Sequence, residues 1–150
     1  MIPLFRDIFA YHHATNQQLL DAILQREGEL PERTFPLFCH VLRAHQIWNA
    51  RILERPTLAV FGSLRKAECS PLDRLNYRQT LDILDRRAPD ETIIYTSSEG
   101  IRYATKLADI LFHVSNHHSH HRGQIIRDFR QAGLEPLKTD YIFSKRTKET

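Results

Sequence analysis

Four stretches of this chain, each about twenty residues long, repeat apolar side chains at helical spacing and are fenced off by proline or glycine. The first runs from Pro3 to Glu27. Pro3 suits a first helical turn, Gly28 suits an ending, and Leu4, Ile8, Tyr11, Leu19, Ala22 and Ile23 supply the apolar positions. The second runs from Thr34 to Leu53, with Phe38, Val41, Leu42, Trp48 and Ile52 as its stripe and Pro56 beyond its end. The third opens at Ser70-Pro71, a cap followed by proline, carries Leu72, Leu75, Leu81 and Leu84, and closes before Pro89. The fourth runs from Leu107 to Gln131, with Gly133 and Pro136 after it. Only five glycines occur, as long helices require. Residues 91–105 differ: a β-rich run, Ser-Ser-Glu-Gly, and a second run predict a small hairpin before the last helix. The expected fold is all-α, a four-helix bundle with that hairpin, in one domain over residues 1–150. The stretch 54–69 is long enough to cross the bundle, so a simple up-down-up-down order is not forced.

Composition excludes several classes. The chain is 41% hydrophobic and 26% charged, close to a soluble globular average. No apolar run approaches the ~20 residues of a membrane span. Two cysteines cannot build a disulfide scaffold, and the opening residues lack the features of a signal peptide, so a reducing cytoplasm is expected. A net charge of +3, with short basic clusters at element ends, is no nucleic-acid footprint.

Histidine is the unusual component. There are nine, and five fall between residues 113 and 121. Imidazoles four apart on a helix lie one above the other and can grip one ion. The candidate pairs are His117 with His121, His113 with His117, and, at a spacing of three, His118 with His121. At ~100° per residue, with His117 at zero, the apolar side of the fourth helix centres near 80°. His121 then falls at about 40°, His118 near 100°, and His113 and His120 swing away. His117 and His121 are the favoured pair. A third ligand has to come from another helix. The second offers His40 and His45, the first His12 and His13, and periodicity prefers His45. Asp128, two turns beyond His121 on the same side, is a weak candidate for a general base, Arg122 faces away toward a helix or dimer contact, and Cys39 reads as a buried structural thiol.

Further segments carry a resemblance to a known family. These are Tyr11-His-His-Ala-Thr-Asn16, His40-Val-Leu-Arg-Ala44-His-Gln-Ile-Trp48-Asn-Ala-Arg51, His113-Val-Ser-Asn116-His117 through His121-Arg122-Gly123-Gln124, Gly133-Leu-Glu-Pro136 and Thr139-Asp140-Tyr141. Together they resemble the DinB-like (damage-inducible) metal-binding four-helix bundles. The resemblance implies an up-down-down-up bundle and a divalent metal ion, zinc or nickel first, on His40, His117 and His121. In place of His45 it selects His40, leaving His45, Asn116 and Gln124 as candidates to support the ligands. It implies a metal-dependent S-transferase (thiol transferase) or hydrolase acting on a small molecule, with a low-molecular-weight thiol as one partner and a homodimer as the assembly. The alternative is a non-catalytic metal-binding stress-response protein. No catalytic side chain beyond the metal site is singled out.

Overall fold

The computed structural model describes residues 1–60 and 62–149. Among them are four helices, α1 (Ile2–Gln25), α2 (Thr34–Ile52), α3 (Lys66–Arg86) and α4 (Leu107–Gln131). Strands β1 (Thr92–Thr96) and β2 (Arg102–Lys106) form the hairpin expected before the last helix, and a 3₁₀ turn, Tyr141–Ser144, follows α4. No described helix is long and apolar enough to cross a membrane.

Side-chain contacts fix the helix directions. His13 meets Asp73 and Lys66 pairs with Glu27, so α1 and α3 are antiparallel. Asn76 donates to the Leu42 carbonyl and His45 meets Thr80, so α2 and α3 run parallel. Thr34 meets Asp128 and Trp48 meets His113, so α2 and α4 are antiparallel. The order is therefore up-down-down-up, and the chain has to cross the bundle between α2 and α3. That crossing is pinned to α2: Arg43 Nε donates to the Ala59 carbonyl (2.9 Å), and the Leu58 N–H donates to Gln46 Oε1 (2.9 Å). Gly62, at φ 143°, comes so close that a Cβ there would stand 3.1 Å from Arg43 Nη2. The hairpin closes one end of the bundle, where Ile93 is buried and Tyr95 meets the Trp48 ring edge-on at 5.1 Å.

The third helix departs from the sequence expectation. It begins at Lys66, not at Ser70-Pro71. Glu68 caps its start by accepting the Arg65 N–H at 2.8 Å, while the Ser70 hydroxyl donates to Gln17 Oε1 (2.6 Å), so Pro71 falls inside the helix. Its inward face is also not the leucine stripe. Leu75 is exposed, and the buried positions are Cys69, Asp73, Asn76, Thr80, Ile83 and Leu84. On α1, Leu4 is exposed, while Phe5 and Phe9 point inward.

Polar residues on that face of α3 belong to a layer that divides the core. One apolar cluster, with Phe5, Phe9, Ile52, Ile83, Ile110 and Val114, fills the hairpin end. A second, with Leu19, Ile23, Phe38, Leu42, Ile125 and Phe129, fills the other. Cys39 and Cys69 meet in the second as free, buried thiols, and their mutual hydrogen bond and burial push the Cys69 thiol up. Burying an aliphatic or aromatic side chain stabilises the fold by about 1.5–3 kcal/mol, against at most ~1 kcal/mol for an exposed ion pair such as Arg6–Asp85. The clusters therefore drive assembly, and the surface pairs follow from it.

Between the clusters lie His12, Asn16, His45, Asn49, Asp73, Asn76, Thr80, His118 and Arg122, all buried. Their hydrogen bonds have a single consistent direction. Asn16 Nδ2 donates to His118 Nδ1 (3.4 Å), which leaves His118 Nε2–H to donate to His45 Nδ1 (3.1 Å). His45 Nε2–H then donates to Thr80 Oγ1 (2.8 Å), which donates onward to the Asn76 carbonyl (3.0 Å). Arginine can only donate, so Arg122 Nη2 donates to His12 Nδ1 (2.8 Å), and His12 Nε2–H donates to Ser115 Oγ (3.0 Å). Each of the three imidazoles is thus neutral, with its tautomer set by its neighbours.

Burial agrees with that protonation. It holds His45 down to about 3 and carries His12 and His118 well below the usual histidine value. The unfolded chain takes up protons near pH 6.5 and the fold does not. Stability is then full above pH 6.5 and drains as pH falls toward about 3. For metal-free protein, the unfolding free energy from urea titration should fall below pH 6.5, approaching about 1.4 kcal/mol per pH unit for each such histidine. The slope should shrink by about one proton in His45→Gln. A stability that stays flat from pH 6.5 to 5 would contradict the neutral layer.

Candidate metal centre

The rotation of α4 is set by His118, which faces His45 in the core. At 100° per residue, His117 and His121 then both project to one side of that direction, toward α2. On α2, His45 occupies the inward face and His40 the edge, where it meets them. Periodicity ranks His45 correctly for burial but not for the cluster. A side chain held between helices by His118 and Thr80 has no nitrogen left to offer.

His40, His117 and His121 form the only group of three or more potential metal-binding side chains among the described residues, with one nitrogen from each lying within 4.8 Å of the others. His40 Nε2 is 3.2 Å from His117 Nε2, and His121 Nε2 is 3.1 Å from it. The rings stand at steep angles, His40 to His121 at 88° and His117 to His121 at 71°. All three are part-buried.

Gln124 settles one tautomer. Its Nε2 faces His120 Nε2 at 3.4 Å, so its Oε1 faces His121 Nδ1, at 2.8 Å, and an amide oxygen only accepts. His121 Nδ1 therefore carries a proton, and its Nε2 is the nitrogen that faces His117. Burial first, then the nearness of His121 and His40, holds His117 down to about 3, and burial lowers His40 as well. His117 sits between two neighbours at bonding distance, and one proton on its Nε2 serves at most one of them well. A cation serves all three nitrogens. Tetrahedral coordination with bonds of about 2.0–2.1 Å sets ligand nitrogens about 3.3 Å apart, close to the spacings found. The three-histidine group can therefore hold a metal ion.

The remaining sequence candidates lie elsewhere. His113 packs against Trp48 (5.2 Å), His13 Nδ1 donates to Asp73 (2.5 Å), and His12 and His118 belong to the buried layer. Asn116 is exposed, whereas Gln124 does support a histidine of the group. Asp128 is fully buried and occupied by Arg33 and Thr34 at the start of α2, which removes it as a proton acceptor for the site. Arg122 faces α1, where it meets Tyr11 and His12. His40 also borders a cavity of about 580 Å³ whose walls include Leu37, Gln124 and Arg127. Nothing in the sequence pattern marks that cavity, because the crossing after α2 supplies one of its walls.

A four-helix bundle in up-down-down-up order, with a histidine group between its second and fourth helices, defines a class. The comparison with known families agrees: a model of the DinB family matches residues 37–150, and the chain belongs to that family. It is similar over 95% of its length to Protein DinB of Bacillus subtilis (strain 168), at 26% identity and 95% coverage of that protein.

If Gln124 sets the tautomer, nitrogen-15 NMR of metal-free protein at pH 7.5 should show His121 protonated at Nδ1. Gln124→Ala should release it to a tautomer mixture. Protonation at Nε2 in the unsubstituted protein would contradict this geometry.

Proposed function

We propose that this chain is a metal-dependent enzyme acting on a small molecule, an S-transferase or a hydrolase, with one divalent ion, zinc or nickel, held by His40, His117 and His121. The observation that carries the reading is the convergence of three imidazole nitrogens, 3.1 and 3.2 Å apart along two edges, beside a cavity of small-molecule size. A closed structural site takes four protein ligands, whereas three leave a coordination position for a reactant. When bound, such an ion supplies Lewis acidity that lowers the pKa of a water or thiol.

The chain's own residues have separate tasks. His117 and His40 stay neutral at physiological pH because burial disfavours their protonation, so their lone pairs remain available. Gln124 orients His121 through its Nδ1–H, the kind of support that raises a ligand's affinity for metal. The cavity against His40 gives a reactant a place to lie, which a storage or purely structural site would not need.

Metal content by mass spectrometry on untagged protein tests the site. About one ion per chain is expected, lost in His40→Ala, His117→Ala and His121→Ala. His45→Gln should retain it, and Gln124→Ala should bind it about 10- to 100-fold more weakly. Protein that stays folded and resists reconstitution, or a His117→Ala variant with full metal, would overturn the reading. A screen of the loaded protein with thiols plus electrophiles, and with esters and amides, then separates the enzyme from a non-catalytic metal-binding protein.

A further inference from the structure

The cavity beside His40 is unbalanced in charge. No carboxylate lines it among the described residues, while two guanidinium groups do, Arg33 and Arg127. Arg33 is already neutralised, since its Nε donates to buried Asp128 at 3.1 Å. The Arg127 guanidinium makes no ion pair or hydrogen bond with any described side chain, so its charge is free to meet a ligand.

Helical rise fixes how far the backbone positions of those arginines lie from the histidines along each helix axis. Arg33 precedes His40 by two turns, about 10 Å along α2 and on nearly the same face. Arg127 follows His121 by six positions, about 9 Å along α4. Because α2 and α4 are antiparallel, both cations stand on the same side of the histidine group. Pro36 and Leu37 line the wall of α2 between Arg33 and His40, so the middle of the cleft is apolar. A molecule that fits has a reacting group at one end, a short hydrocarbon spacer, and an anion at the other.

We propose that Arg127 is a specificity-determining residue that anchors the carboxylate of a small substrate, at the end of the cleft away from the histidine group where the substrate reacts. The proposal rests on the metal-site reading above. Arg33, held in place by Asp128, forms the opposite wall of the anion subsite without adding net charge. The selected substrates are ω-functionalised short carboxylic acids, in preference to neutral molecules of the same length.

The test uses the full chain loaded with cobalt(II), whose sulfur-to-cobalt charge-transfer absorption reports thiol binding without any need for turnover. The probes are 6-mercaptohexanoate and its neutral analogue 6-mercapto-1-hexanol. The acid should bind about fivefold or more tightly than the alcohol. Arg127→Gln should abolish that difference and leave the alcohol unchanged. Arg127 is exposed, and the cobalt spectrum of the variant itself reports an intact histidine group. Equal binding of the two thiols, or an advantage for the acid that survives Arg127→Gln, overturns the anion subsite alone. Failure of the protein to bind cobalt overturns the metal reading, and the proposal falls with it.

Discussion

A polar layer across the middle of an otherwise apolar bundle sets the register of all four helices. Hydrophobic clusters tolerate sliding and rotation, because one aliphatic contact substitutes for another. A chain of neutral imidazoles does not. Asn16, His118, His45 and Thr80 come from α1, α4, α2 and α3 in turn, and each link needs a donor facing an acceptor. Turning any helix by one position would leave a buried polar group unpaired, at a cost of about 1–3 kcal/mol per group. Such a layer adds less stability than leucines would, and it defines one arrangement over its neighbours.

The meeting of His40, His117 and His121 is a geometric consequence of that layer. With His118 committed to the core, His117 and His121 have to project toward α2, one turn apart. With His45 committed to His118, the edge of α2 presents His40 to them. Two sets of histidines on the same two helices thereby acquire different roles. The inner set is saturated with protein hydrogen bonds and structural. The outer set has nitrogens that face one another and need a shared partner. Gln124 extends the same logic outward, fixing the His121 proton on the far side of the ring. His40 of that group borders the cavity, and the Arg127 guanidinium lines the same cavity.

The helices, the hairpin and the His117–His121 pair were legible because each rests on local periodicity. The apolar side of the fourth helix, Leu107, Ile110, Leu111, Val114, Ile125 and Phe129, is buried throughout. The inward face of α3 was not legible. Asp73, Asn76 and Thr80 read as solvent-facing residues unless partners on α1 and α2 are known, and Leu75 then takes their place by default. The start of α3 was misplaced for a related reason, since Ser70 bonds a side chain of α1 instead of its own helix. His40 was reached through family resemblance and not through periodicity. An apolar stripe locates the most buried histidine, here His45, and passes over His40, which stands at the edge beside the cavity.

The central claim is that the outer histidines, and not the inner ones, share a cation. Anomalous diffraction at the zinc edge from crystals of zinc-loaded protein tests it most directly. One strong peak is expected about 2 Å from Nε2 of His40, His117 and His121, with the His45–His118 hydrogen bond intact. A peak among His12, His45 and His118, or a fully loaded crystal with no density between the outer three, would contradict it.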